Sequence, residues 1–164
     1  MYFPNGMSKV SSPLVISPLT ELELEAASFF ARSNFEASLA IFFNEEGVEQ
    51  FHDSVSDLEI SERMQQVSQF YIAKKKKNIV GFVELYRRRH IALMLVEKEE
   101  TNLQTVTELI SFLKEIIEQK ERDHYLTIHA APTGYPLFKE IGFKVTGEEQ
   151  VYAGGISSLM TLRW

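Results

Sequence analysis

The sequence predicts an α/β fold, one domain built around a twisted mixed sheet of about six to seven strands flanked by helices. Three observations predict it. The apolar pattern changes from a helical to a strand-like period near Phe70. Residues 91–96 are apolar at every position, and a long helical stripe separates them from a further strand. Because a helical crossover joins those two strands, they should be parallel, whereas strands joined by short turns should be antiparallel.

Length and composition are consistent with one domain. The chain has 164 residues and 18.9 kDa, of which 45% is hydrophobic, and single domains commonly hold about 100–150 residues. We expect residues 14–164 to form the domain and residues 1–13 to be a flexible N-terminal segment. The absence of Cys excludes disulfides, thiolate metal ligands and Cys nucleophiles.

Charge and hydropathy narrow the classes of partner. A net charge of −6 and a pI near 5.3 disfavour nucleic acid, which needs clustered positive surface. The chain shows no signal peptide and no apolar run of about 18 residues, so it is predicted not to enter a membrane and to be cytoplasmic. His52, His90 and His124 lack metal-ligand spacing, and no metal site is predicted.

The first 68 residues predict one strand followed by helices. A short apolar run at residues 14–16 lies between Pro13 and Pro18 and predicts the first strand. Thr20 begins a helix, with Glu23 placed to complete a capping box. Residues 35–57 suggest short helices around Gly47, and residues 61–68 one further helical segment.

The middle of the chain predicts the sheet and its crossover helix. Strands are expected at residues 70–73 and 79–86, joined by a tip of four lysines. The apolar residues 91–96 predict a central strand that is buried on both faces. A long helix follows, and then a parallel strand at residues 125–129. The helix carries one apolar stripe: Leu103, Val106, Leu109, Ile110, Leu113, Ile116 and Ile117.

A short helix at residues 136–141 precedes the final strands. Leu137, Phe138 and Ile141 fall on one helical face. Gly142 occupies the position where helices commonly end in a left-handed residue. Strands are expected at residues 143–151 and 156–162.

Two segments and their order resemble the GNAT N-acetyltransferases. Residues 79–82 read Ile-Val-Gly-Phe and residues 136–143 read Pro-Leu-Phe-Lys-Glu-Ile-Gly-Phe, both similar to family motifs, and Gly155 and Met160 match the family's tail. The resemblance implies acetyl-CoA as co-substrate, no metal, and a small-molecule or peptide amine as acceptor. It also implies direct attack of the amine, with backbone N–H groups near Leu95 and Val96 polarising the thioester carbonyl.

The phosphate-binding loop departs from the family pattern. The resemblance places that loop, patterned Q/R-x-x-G-x-G/A, on six residues without glycine: Thr101, Asn102, Leu103, Gln104, Thr105 and Val106. Glycine allows a backbone to approach phosphate oxygens without a Cβ in the way. Thr101 and Gln104 instead form a capping box, which satisfies the same N–H groups. Lys74 and its three neighbours are either a replacement for these contacts or a solvated turn.

The catalytic residues depart as well. Phe138 stands where many members of the family have the Tyr that protonates the leaving thiolate, so it is assigned to cofactor binding only. Tyr135 either replaces that acid or simply packs. Glu84 is either a general base or a solvent-facing strand residue, and His129 either contacts the pantetheine arm or is structural.

Two functions therefore stay open from the sequence. One is an atypical acetyl-CoA-dependent N-acetyltransferase. The other is a binding or regulatory module that has kept the fold but does not bind coenzyme A in the usual way. Association into a homodimer is left open.

Overall fold

The computed structural model describes residues 12–98 and 103–164. Most of the predicted flexible segment 1–13 lies outside these ranges. The described helices are α1 (Leu24–Ser38), α2 (Glu45–Ser54), α3 (Asp57–Met64), α4 (Leu103–Lys120) and α5 (Tyr135–Ile141). The strands are β1 (Leu14–Pro18), β2 (Ser68–Lys75), β3 (Asn78–Tyr86), β4 (His90–Val96), β5 (Tyr125–Ala130), β6 (Lys144–Val145), β7 (Gln150–Tyr152) and β8 (Gly155–Arg163).

The strands form one mixed sheet in the order β1-β2-β3-β4-β5-β8-β6, with β7 paired to β8. Only the β4–β5 pair is parallel among the described strands. This confirms the α/β fold and the helical crossover. The described sheet has eight strands rather than six or seven, because the single strand expected at residues 143–151 is divided into β6 and β7.

Helices cover both faces of the sheet. One core cluster lies between α4 and the sheet and contains Leu109, Leu113 and Leu126. The other lies between the sheet and α1 and α3, and contains Phe30, Ile60 and Phe82. The apolar stripe predicted for α4 is therefore the face that packs on the sheet, since burying such a stripe is the main source of a helix's stability.

The helical part between residues 35 and 68 differs from the prediction only in part. Helix α1 continues without interruption to Ser38, and a 3-10 helix at Ala40–Phe42 and α2 are the short helices expected around Gly47. The helix expected at residues 61–68 is wrong in its second half, because α3 ends at Met64 and Ser68 begins β2. The Ser68 hydroxyl donates to Glu84 Oε1 at 2.6 Å, so this residue is held in the sheet.

Two further predictions concern the elements beside the cleft described below. Gly142 ends α5 with φ of 116°, which confirms the left-handed helix end. The expected burial of the central strand on both faces is wrong: Ile91 and Leu95 are buried, but Ala92 is exposed.

In the described part of the chain, no helix is long and apolar enough to cross a membrane.

Candidate active site

Strand β4 is paired differently along its two edges. Its pairing with β3 extends from His90, opposite Tyr86, to Val96, opposite Gly81. Its pairing with β5 is limited to His90 and Ile91. From Ala92 onward the edge of β4 that faces β5 has no strand partner among the described residues, so the N–H and C=O groups that point to this edge can bind a ligand.

A bulge occurs where β4 and β5 begin to diverge. Leu85 of β3 pairs with Ile91 and Glu84 pairs with Leu93, which leaves Ala92 as the extra residue of β4. A bulge bends a strand and changes the face on which its side chains lie. In agreement with this, Ile91 packs in the cluster beneath α4, whereas Leu93 packs against the cluster beneath α1.

A cleft of about 1140 Å³ follows the gap between the two strands. One end lies near Lys98 and the start of α4, and the other lies among aromatic residues of α1, α2 and the β7–β8 hairpin. Sites for a single drug-sized ligand commonly measure about 300–1,000 Å³. The cleft therefore has room for two reactants placed end to end.

His129 lies in this cleft, one residue beyond the last β4–β5 pair. Its ring stacks on Tyr152, with centroids 3.8 Å apart and planes 10° apart, and meets His90 edge-on at 5.4 Å. Within the described residues its Nδ1 is buried and has no hydrogen-bond partner. His90 Nδ1, by contrast, lies 2.8 Å from Thr127 Oγ1.

Burial keeps both imidazoles neutral near pH 7. Desolvation lowers the pKa of His129 below its usual range, because the charged form loses hydration. Desolvation also lowers the pKa of His90, and positive charge on His129 lowers it further. A neutral imidazole can accept a proton, so His129 has the chemistry of a general base.

The β7–β8 hairpin closes the aromatic end of the cleft. Asn44 N–H donates to the Gly154 carbonyl at 3.0 Å. A Cβ on Gly154 would lie 2.5 Å from Gly47 Cα, and one on Gly155 would lie 2.5 Å from the Phe43 ring. Glycine is therefore required here for the hairpin to approach the start of α2, and this approach brings Tyr152 into the cleft wall.

Glu84 lies in the cleft wall, but it is bound on both oxygens. Arg63 donates from Nε to Oε1 at 2.9 Å and from Nη2 to Oε2 at 3.2 Å, and Ser68 adds a third bond. The expectation of a solvent-facing side chain is wrong, since Glu84 is 6% exposed. Its assignment as a general base stays a prediction, and these three bonds leave neither carboxylate oxygen without a partner.

Tyr135 and Phe138 lie on the same short helix but reach different surroundings. The Tyr135 hydroxyl donates to Ser158 Oγ at 3.0 Å, and Tyr135 is not among the residues that line the cleft. Phe138 lines the cleft and packs edge-on against Phe143 at 5.3 Å. The acid role of Tyr135 stays a prediction that this geometry does not favour.

The predicted cofactor residues are partly gathered at the open edge of β4. Leu95, Val96, Leu103 and Val106 line the cleft. Thr101 and Asn102 lie outside the described residues, so the capping box predicted for Thr101 and Gln104 is not described either.

The start of α4 is shaped by its own packing. Val106 is 3% exposed and belongs to the core, and Thr105 is also buried. Gln104 is exposed and donates to Glu108 Oε1 at 3.3 Å. Packing against the sheet therefore accounts for Val at position 106. Its effect on the binding of a phosphate stays a prediction.

The lysine hairpin lies at the expected end of the sheet. Glu97 N–H donates to the Val80 carbonyl at 2.9 Å, which places the end of β4 beside the start of β3. Lys74 forms an ion pair with Glu23. The role of the hairpin toward a phosphate stays a prediction.

Several cleft residues were not singled out as site candidates from the sequence. These are Phe43, Arg63, Tyr152 and Ser157. The Ser157 hydroxyl is buried and unpartnered within the described chain. Their positions depend on contacts between distant segments, so no local motif indicates them. No group of three His, Asp or Glu side chains in the described ranges could hold a metal ion.

Comparison with a family model decides the identity of the fold. A model described as an acetyltransferase (GNAT) domain matches residues 39–163, about three quarters of the chain. The chain belongs to the GNAT acetyltransferase family. A comparison with curated proteins finds no match.

Solved structures show the same GNAT fold. A GCN5-related N-acetyltransferase from Rhodopseudomonas palustris has a TM-score of 0.78 at 19% identity, over 94% of this chain and 98% of that one. PaiA N-acetyltransferase from Thermoplasma acidophilum, in complex with coenzyme A, has a TM-score of 0.77 at 19% identity, over 93% of this chain and 99% of that one. Spermidine N-acetyltransferase from Vibrio cholerae, in complex with CoA and spermine, has a TM-score of 0.62 at 14% identity, over 92% of this chain and 95% of that one.

Proposed function

We propose that this protein transfers an acetyl group from acetyl-CoA to an amine. The observation that carries the proposal is the unpaired edge of β4, which starts at the Ala92 bulge and lines a cleft large enough for two reactants. A pantetheine arm contains amides, and an extended amide chain pairs with a free strand edge as an added strand does. Family membership supports the same function, as do the coenzyme A complexes of two proteins with the same fold.

The residues along the cleft fit the arm of acetyl-CoA. Leu95 and Val96 offer backbone groups, while Phe138 and Leu103 supply apolar walls. We assign the pyrophosphate to Gln104 and Thr105 at the start of α4 and to Thr101 and Asn102, which precede the helix in the sequence. Helix N-termini present N–H donors to anions.

When bound, acetyl-CoA supplies a thioester carbonyl that an amine can attack. The N–H groups of β4 between Ala92 and Val96 donate to the carbonyl oxygen as its negative charge grows. Such donors are backbone groups, so the presence of Phe at position 138 slows transfer without preventing it.

His129 takes the proton from the attacking amine as the new C–N bond forms. The C–S bond of the thioester then breaks, and coenzyme A leaves as a thiolate that takes up a proton from solvent. The Nδ1 atom of His129 has no other partner in the described chain, and burial lowers the pKa of this residue so that the ring is neutral near pH 7. Tyr152 stacks on the ring and is itself 49% exposed, so we propose that its side chain moves aside when the amine binds. We prefer His129 to Glu84 because Arg63 and Ser68 bind both carboxylate oxygens.

A melting-temperature titration with acetyl-CoA tests the proposal. A ligand at 100 times its Kd stabilises the folded state by about 2.7 kcal/mol, which raises Tm by several degrees. Release of free coenzyme A in the presence of an amine panel should follow. The absence of a Tm shift at millimolar acetyl-CoA would overturn the proposal and favour the binding module that has lost coenzyme A.

A further inference from the structure

We infer that the acceptor end of the cleft selects a primary amine with one aromatic or aliphatic body and no second cationic group. This inference rests on the proposed function, because it names the substrate of the same site. The acceptor end is the part of the cleft lined by residues 35–55, β3, the first half of β4, the end of β5 and the β7–β8 hairpin.

The walls of the acceptor end are apolar and largely aromatic. They are formed by Leu39, Phe43, Phe51, Tyr86, Leu93 and Tyr152. Phe35 supports this wall from behind, since it stacks on Phe51 at 3.8 Å and meets Phe43 edge-on at 4.9 Å. Rings fixed in this way accept a flat or branched apolar group and gain little from a hydrated chain.

The charges at this end are already balanced. Of the two carboxylates that line the described cleft, Glu140 lies on α5, whereas Glu84 lies at this end and is bound by Arg63 through two hydrogen bonds. His90 and His129 are neutral near pH 7, because burial lowers the pKa of each. A second ammonium in this pocket would lose hydration without gaining a carboxylate, which is costly. Spermidine N-acetyltransferase from Vibrio cholerae shares the fold of this chain. Because of the charge balance described above, we nevertheless expect a different substrate class here.

Two buried polar atoms provide a place for one polar group. Ser157 is 7% exposed, and its Oγ has no partner within the described residues. The Nδ1 atom of His129 is also buried and unpartnered. Buried polar atoms are nearly always hydrogen-bonded, so two unpartnered atoms on residues that line one cleft indicate a missing ligand group. We assign the amine head of the substrate to these atoms, while the rest of the substrate contacts the rings.

Equilibrium dialysis of two amines without acetyl-CoA tests the pocket separately from the transfer. We expect 2-phenylethylamine to bind at least tenfold more tightly than spermidine. Equal or tighter binding of spermidine would overturn the inference, and so would no retention of 2-phenylethylamine. Turnover with acetyl-CoA should show the same order in kcat/KM.

A charge substitution adds a matched control. Gln50 lines the acceptor end, whereas Gln66 is exposed and lies outside the cleft lining. Gln50→Glu should raise spermidine affinity severalfold, and Gln66→Glu should leave it unchanged. An equal effect of both variants would mean that the general surface charge, not the pocket, sets the preference, and would count against the inference.

The two proposals can fail independently. If acetyl-CoA raises Tm but spermidine is the better substrate, the substrate class is wrong and acetyl transfer stands. If acetyl-CoA gives no shift while 2-phenylethylamine is retained, transfer is wrong and the apolar amine pocket stands.

Discussion

The two ends of the β4–β5 pair are built in opposite ways. At the closed end, where the strands are hydrogen-bonded, Arg89 Nη2 lies 3.2 Å from Glu121 Oε2, and Arg88 Nη1 lies 3.4 Å from Glu121 Oε1. The Arg89 guanidinium also lies over the Tyr125 ring, at 4.6 Å. Charged contacts between the β3–β4 turn and the α4–β5 connection therefore hold the strands together there.

At the open end, from Ala92 onward, the strands are not joined. In the described part of the chain the β4 edge is unpaired, and two buried atoms of cleft residues, His129 Nδ1 and Ser157 Oγ, have no hydrogen-bond partner. Stability and binding are thus assigned to different ends of the same two strands. Substitutions at the open end should change binding and rate, whereas those at the closed end should change the free energy of unfolding.

The largest effect is expected from filling the gap at the open end. Ala92 is exposed and lines the cleft, so Ala92→Phe places a ring between β4 and β5. We expect the Tm shift with acetyl-CoA to disappear, while Tm without ligand stays within a few degrees of wild type. Ala26→Phe, at an exposed position of α1 outside the cleft, is the control. An undiminished shift in Ala92→Phe would place the acetyl-CoA site elsewhere.

Removing the proposed base should have the next largest effect. His129→Gln should lower kcat by about 10²–10⁴-fold, the usual range for a general base. Burial lowers the pKa of His129, so the wild-type kcat/KM should fall on acidification only below about pH 6.5, where the ring becomes protonated. This acid limb should be absent from the variant.

A second histidine provides the control for this experiment. His52 contacts Glu36 and is not among the residues that line the cleft. His52→Gln should keep both kcat and the acid limb. An acid limb that persists in His129→Gln would assign the base to another group, with Glu84 the next candidate.

The comparison also shows which parts of the site a sequence can indicate. The parallel β4–β5 pair and the helix end at Gly142 were predictable, because crossover length and local glycine chemistry decide them. The exposure of Ala92 could not be predicted from the sequence. It depends on the bulge in β4 and on the divergence of β5, which lies more than 30 residues further along the chain.

Long-range partners explain the remaining differences. The strand pattern around Glu84 predicts an exposed acidic side chain. In the structure, Arg63 of α3 and Ser68 of β2 bind its carboxylate. The contact between His129 and Tyr152 likewise depends on how the β7–β8 hairpin folds back. Apolar periodicity describes which face of an element is buried, and contains no information about which polar side chains meet.

At the closed end a smaller effect, on stability alone, is expected. Glu121→Gln removes the ion pairs to Arg88 and Arg89 and should lower the free energy of unfolding by about 1 kcal/mol, or roughly 2–4 °C in Tm. The KM for acetyl-CoA should stay within twofold. The stability difference should shrink at high salt, which screens these partly exposed charges. Glu115→Gln, at an exposed site on α4, is the control. A large change of KM in Glu121→Gln would contradict the assignment of stability to the closed end and of binding to the open end.

The smallest effect, and the finest test, comes from two adjacent serines of β8. The Ser158 hydroxyl accepts a hydrogen bond from Tyr135, so Ser158→Ala should cost about 1 kcal/mol of stability. The Ser157 hydroxyl has no partner among the described residues, so Ser157→Ala should leave Tm unchanged or slightly raise it. If this hydroxyl binds the amine, the same variant should raise the KM for 2-phenylethylamine about fivefold, the loss of one hydrogen bond. A lower Tm with an unchanged KM would instead make Ser157 a structural residue like its neighbour, and the open end would lose one of its two ligand-binding atoms.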